Sequence, residues 1–396
     1  MTTGLFSQAG LLVADHAGRS PYPDSLRPLL DEKAVAAAGR EVHAWPGYQP
    51  TPLLSLPGLA RALGLGSLHY KDEGKRLPLK SFKMLGGGYA VAQALADHVE
   101  AATGRRPSAG ELAGGRFRDL TSSLTVTCAT DGNHGRAVAW GARSFHCRAV
   151  IFIHAAVSTG REAAIAGFGA EVRRVEGVYD DAVRAAAATA ALGWLVISDT
   201  AYPGCSEMPR LVMHGYSVLG EEIADALPDP ATHMLLQCGV GGMAAAVMAT
   251  LWLRWGAARP RFIIVEPERA DCAFQSARAG RPTPAKGDLA TLCAGLACGE
   301  LSTHAWDIFR LAGDAFMTIT DEEAVAAMRR LAAPAAGDPA LVAGECAGVG
   351  IAALERLAQD AAARRALAID DKARMVVIGT EGDTDPAIYR RLVGGA

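Results

Sequence analysis

The stretch LTVTCATDGNHGRAVAWGARSFHCRAVIFIHA (124–155) decides the fold. LTVTCAT is rich in β-branched residues and reads as a buried strand. GRAVAWGARSF, with alanine spaced along it, reads as a helix, and AVIFIHA is again strand-like. Strand, helix, strand within about thirty residues is the unit of a parallel sheet. The rhythm continues outward. REAAIAGFG (161–169) is helical, EVRRVEG (171–177) a strand, DAVRAAAATAALG (181–193) a helix and WLVISDT (194–200) a strand. It resumes after Gly204 with a helix over 215–227, a strand at MLLQCGV (234–240) and the long helix GMAAAVMATLWLRWG (242–256). RFIIVEPE (261–268), FMTIT (316–320) and ARMVVIGTEG (373–382) are further strands, with helices over 322–333 and 348–365 between them.

The expected class is therefore α/β, with two doubly wound, mostly parallel sheets. The expected domains are a larger one formed by 1–90 and 215–396, and a smaller inserted one at 91–214. Residues 1–48, with Pro21, Pro23, Pro28 and Pro46, read as an irregular arm on the body, and 103–118 as a surface excursion.

The 396 residues are half apolar and one-fifth charged, enough for a large core and against disorder. A net charge of −3 leaves no electrostatic footprint for nucleic acid. No run of about 18 apolar residues suggests a membrane span. The first twenty residues contain Asp15, His16 and Arg19, which do not fit a signal peptide. The eight cysteines are scattered with no Cys-x-x-Cys pair, so no metal site is expected, and a reducing cytoplasm is the expected setting.

Four junctions hold side chains suited to chemistry. Lys83, in KSFKMLGGGYAV, is the residue type that holds an aldehyde cofactor as a Schiff base; read alone, it fits a solvated helix start better, since exposed lysines are the norm. In ATDGNHG (129–135), Asn133 can donate to a ring oxygen and Asp131 sets a carboxylate beside it, where α/β sheets bind ligands; either residue also fits a helix cap. His134 reads as a structural turn residue. The loop Gly239, Val240, Gly241, Gly242, Met243 opens a helix as a backbone phosphate cradle, without the full dinucleotide fingerprint. Thr380 and Asp199 follow two other strands, each of which also fits a polar loop.

Taken together, these segments make the chain resemble pyridoxal-phosphate enzymes of the tryptophan-synthase-β type, fold type II, and within them the diaminopropionate ammonia-lyase family. The match is carried by YKDE (70–73), SFKMLGGGYAV (81–91), ATDGNHGRAVAW (129–140), DTAYPG (199–204), GVGGMAAAV (239–247), VEPERADC (265–272), GDLATLCAGLACGE (287–300), GEC (344–346) and TEGDTDP (380–386). The resemblance implies an active site between the two domains with pyridoxal 5'-phosphate held by Lys83. It implies Asn133 on the phenolic oxygen, Gly239, Val240, Gly241, Gly242 and Met243 around the phosphate, and Thr380 at the ring nitrogen. Asp131 would complement the second ammonium of 2,3-diaminopropionate and take the α-proton of the D-isomer, with Lys83 serving the L-isomer. Asp199 would hold or relay protons at the β-amine. The implied reaction is α,β-elimination to pyruvate and two ammonia in a cytoplasmic homodimer serving amino-acid catabolism. The alternative is a dehydratase or β-elimination lyase for serine or threonine. Cys272 and Cys298 lie in matched segments as candidates for a disulfide or a thiol pair, and free thiols are the expectation in a cytoplasm.

Overall fold

The computed structural model describes residues 6–8, 10–14, 20–177, 179–334 and 337–394. Its strands are β1 (Phe6–Gln8), β2 (Leu11–Val13), β3 (Leu53–Ser55), β4 (Ser67–Asp72), β5 (Thr125–Ala129), β6 (Arg148–His154), β7 (Glu171–Val175), β8 (Leu195–Val196), β9 (His233–Gln237), β10 (Arg261–Pro267), β11 (Gly313–Ile319) and β12 (Arg374–Gly379). They form two sheets. One runs β1-β2-β11-β10-β9-β12-β4-β3 and the other β7-β6-β5-β8. The first is parallel through its centre, with antiparallel pairing of β1 to β2, β2 to β11 and β3 to β4. The second is parallel throughout.

The chain divides into two units. One holds residues 1–31, 51–81 and 219–396, and the other 32–50 and 82–218. Breaks between the units fall at 31/32, 50/51, 81/82 and 218/219. The helix Lys83–Thr103 packs along Asn133–Ser144, so it belongs to the second unit from its first residue. Residues 32–50 join that unit as well, since the helix Glu32–His43 contacts Lys83–Thr103.

In the larger unit, β9 and β11 are buried from end to end and β10 in all but its first residue, Arg261, which is why they read as continuous apolar runs. The helix Glu345–Gln359 lies against β9, β10, β11 and β12 through buried Val349, Ile351, Ala352 and Leu354. It stops at Asp360, whose carboxylate caps the next helix, Ala361–Leu367, so one expected helix is two. In the smaller unit, Val150 and Phe152 of β6 pack with Ala182 and Ala186 of the helix Tyr179–Ala188.

Two expectations are corrected and one is filled in. The N-terminal stretch is not an irregular arm. Leu11 and Val13 are buried, β2 pairs with β11, and Glu32–His43 is a helix; residues 1–5, 9 and 15–19 of that stretch lie outside the described residues. The 103–118 segment is largely exposed, as a surface excursion should be, and it contains a helix, Ala109–Ala113, closed by a capping box of Ser108 and Glu111. The strand expected over 194–200 is only Leu195–Val196, after which the chain leaves the sheet. No helix among the described residues is long and apolar enough to cross a membrane.

Candidate active site

In the smaller unit the site begins at the ends of β5 and β6. Thr130 follows β5, and its hydroxyl accepts the N–H groups of Gly132 and Gly135, both at 3.0 Å, which folds ATDGNHG into a tight turn before the helix Asn133–Ser144. Gly135 has to be glycine, because a Cβ there would lie 2.4 Å from Thr130 Cγ2. The turn places Asn133 as the first residue of the helix, with Oδ1 accepting from Arg136 at 3.0 Å. Asp131 Oδ1 meets His154 Nε2 at 2.7 Å.

Lys83 opens the helix Lys83–Thr103. Its Nζ lies 2.7 Å from Asp199 Oδ2, both side chains being mostly buried. Burial alone would raise the Asp199 carboxyl, but the Lys83 ammonium, with a hydrogen bond from Thr200, holds it well below the usual carboxylate range. His134 Nε2 donates to the Ile197 carbonyl at 2.8 Å, which leaves Nδ1 as the lone-pair nitrogen, 3.9 Å from Asp199 Oδ2. Burial lowers the His134 pKa, so the ring stays neutral beside the ion pair. Tyr216, its ring tilted at 58° against Phe82 with centroids 5.0 Å apart, is fully enclosed near the same ammonium, and burial raises its phenol. The pair of Lys83 and Asp199 brings together two residues expected separately. His134 is more than a turn residue, and Tyr216 and His154 were not anticipated from the sequence.

In the larger unit, β9 runs into Cys238–Gly241 and the helix Gly242–Trp255. Gly241 has φ +89°, and a Cβ on it would come within 2.6 Å of Ala305 Cβ, so both conformation and space demand glycine. The loop thus brings bare backbone to a helix N-terminus, the geometry that receives a phosphate. Thr380 follows β12 and is buried, and its hydroxyl has no hydrogen-bond partner among the described residues. A buried hydroxyl left unpaired is costly, and it fits a ring nitrogen supplied by a bound group. Beyond Thr380, Gly382 N–H donates to the Lys80 carbonyl at 3.0 Å, and Lys80 Nζ pairs with Asp383 at 2.7 Å.

All eight cysteines are free thiols, Cys272 and Cys298 among them. Cys272 Sγ lies 3.4 Å from Glu266 Oε1, and Glu266 accepts the Ala273 and Phe274 N–H groups, each at 2.8 Å. Cys298 borders the loop over 239–243, its Sγ 3.1 Å from where a Gly239 Cβ would be.

Residues 44–381 match the family described as pyridoxal-phosphate dependent enzyme. The chain is 36% identical over 392 residues to the diaminopropionate ammonia-lyase of Escherichia coli K12, covering 96% of each chain. It is 39% identical over 372 residues to the enzyme of that name from Salmonella typhimurium LT2, covering 90% of this chain and 91% of that one. It also matches the crystal structure of the Escherichia coli enzyme in complex with an aminoacrylate-PLP azomethine reaction intermediate, with a TM-score of 0.86, 34% identity, and coverage of 97% of this chain and 96% of that one. The family match over most of the chain, and relatives 36% and 39% identical that cover nine-tenths or more of it, show that the chain belongs to the fold type II pyridoxal-phosphate-dependent enzymes, within the diaminopropionate ammonia-lyase family.

Proposed function

We propose that this protein eliminates ammonia from 2,3-diaminopropionate, in its D form, L form or both, yielding pyruvate and a second ammonia. The observation that carries the reading is the Lys83–Asp199 ion pair beside the ATDGNHG turn, because it sets two carboxylates and one amine around a single strand–helix junction. Pyridoxal 5'-phosphate supplies an electron sink that acidifies the substrate α-carbon and lets a β-substituent depart. The residues that would hold it are Lys83 through its amine, Asn133 at the phenolic oxygen, the backbone of Gly239, Val240, Gly241, Gly242 and Met243 at the phosphate, and Thr380 at the ring nitrogen. A hydroxyl at that last position does not force the nitrogen to stay protonated, which favours elimination over transamination.

Lys83 Nζ removes the α-proton of the L-isomer, and the Asp131 carboxylate removes that of the D-isomer. Amines leave poorly unless protonated. Asp199, held ionised, keeps the β-nitrogen in its ammonium form until the carbon–nitrogen bond breaks. The electron pair of the C–H bond forms the new double bond, ammonia departs, and the released enamine hydrolyses to pyruvate. We further propose a homodimer in the cytoplasm, where the eight free thiols would stay reduced.

The test compares pyruvate release from D- and L-diaminopropionate with release from D- and L-serine and threonine, and maps the borohydride-reduced cofactor adduct. The expected result is turnover of diaminopropionate and an adduct on Lys83. Turnover of serine or threonine alone would replace this reading with a dehydratase.

A further inference from the structure

We propose that His154 is a positioning residue for Asp131, holding that carboxylate turned so that a single oxygen is left to receive a substrate proton. The inference rests on the reading of Asp131 as the base for the D-isomer. β5 and β6 are adjacent and parallel, with Ala129 opposite Phe152. Two residues further along each strand, the same register brings Asp131 and His154 together at the carboxyl edge of the sheet.

The hydrogen positions follow from the neighbours. The Ala156 N–H donates to His154 Nδ1 at 3.4 Å, so Nδ1 carries the lone pair and Nε2 carries the hydrogen. That Nε2–H donates to Asp131 Oδ1 at 2.7 Å. The ring is steadied further by the edge of Tyr179, with centroids 6.4 Å apart. The strand end is held by Arg174, which donates to the carbonyls of Ala155 and Val157 at 2.8 and 2.9 Å and pairs with Glu162. Asp131 Oδ2 accepts no hydrogen bond among the described residues. In the proton transfer, Oδ2 gains the substrate α-proton, the C–H electron pair stays with the substrate, and His154 keeps its hydrogen throughout. It acts only through the carboxylate it orients.

The decisive experiment uses the cofactor-loaded enzyme and four proteins: wild type, His154→Leu, His154→Gln and Asp131→Asn. Glutamine places an amide N–H where Nε2–H stood, and leucine keeps the bulk without a donor. We expect the ratio of D- to L-isomer kcat to fall at least tenfold in His154→Leu and to return within about threefold of wild type in His154→Gln. NMR of ¹⁵N-histidine-labelled protein should show His154 as the Nε2–H tautomer, its proton signal moving upfield in Asp131→Asn. An unchanged ratio in His154→Leu, a loss shared equally by both isomers that glutamine does not restore, or an Nδ1–H tautomer would overturn the proposal. If Asp131→Asn abolishes D-isomer turnover while His154→Leu spares it, only the role of His154 falls. If Asp131→Asn spares the D-isomer, or wild type turns over the L-isomer alone, the reading of Asp131 as that base falls, and the role of His154 with it.

Discussion

At the scale of single residues, the Lys83–Asp199 contact separates the duties of the two carboxylates. Asp199 is tied to the amine at 2.7 Å, whereas Asp131 is tied to an imidazole. A group that stabilises the departing ammonium serves both isomers, so Asp199→Asn should depress D- and L-turnover together, by about 10²-fold or more. Borohydride should still label Lys83 in that variant. Steady-state kcat for each isomer checks this, and a loss confined to one isomer would mean that Asp199 is a base and not a partner of the leaving group. The residues of this neighbourhood were unequally legible. Lys83, Asp131, Asn133 and Asp199 lie at strand or helix ends in short polar motifs, so their positions could be read from the chain. His154 closes the apolar run AVIFIHA, and Tyr216 lies inside an apolar helix, so neither differs locally from a core residue. Only the register of β5 on β6, and the packing of Tyr216 on Phe82, bring them to the site.

At the scale of elements, the glycine run of KMLGGGYAV is a packing device. A Cβ on Gly86 would lie 2.4 Å from Tyr216, one on Gly87 2.7 Å from Ala137 Cβ, and one on Gly88 2.6 Å from Trp140. The helix Lys83–Thr103 can approach Asn133–Ser144 this closely only because those side chains are missing. Gly87→Ala gains about 1 kcal/mol of helix propensity but overpacks against a Cβ that moves only with its backbone, at a cost of about 1–3 kcal/mol. We expect a net loss of up to roughly 2 kcal/mol in urea unfolding together with lower kcat, since Lys83 is the first residue of the displaced helix. Unchanged stability would show that the two helices slide apart freely. Strands with long β-branched runs were legible for the reason that they are buried on both faces. The three-residue β2 was not, since three residues have too little period to read. WLVISDT misleads in the opposite sense. Only Leu195 and Val196 pair with β5, Ile197 N–H donates to the Thr127 carbonyl at 2.7 Å, and the chain then turns out of the sheet, freeing Asp199 for Lys83.

At the scale of the whole molecule, the feature with the largest consequence for stability is a buried ion cluster in the larger unit. Glu222 receives Lys71 Nζ and Arg76, the latter at 2.8 Å, and Arg76 also bonds Glu73, which accepts from Thr51. Lys71 Nζ donates in addition to the Thr51 carbonyl at 2.6 Å. All four charged side chains are at least nine-tenths buried. Burial alone would raise the Glu222 carboxyl, yet Arg76 first and Lys71 second hold it below its ordinary value of 4.5. A carboxyl whose folded pKa lies below its unfolded one contributes stability that is complete above the unfolded value and is lost as pH falls through the folded one. Glu222→Gln strands the Lys71 ammonium and half of the Arg76 guanidinium's partners in a dry interior, which costs about 3–5 kcal/mol at neutral pH. Below about pH 4.5 the unfolded chain's carboxyl begins to take up a proton, and the folded one follows at lower pH and comes to resemble the amide, so the gap between the two proteins should narrow steadily. Urea midpoints of both proteins from pH 7 to pH 3 measure that gap. A separation that stays constant across the range would mean that the cluster is held by shape and neutral hydrogen bonds, because only a charge present in one protein and absent from the other can make their difference depend on the proton.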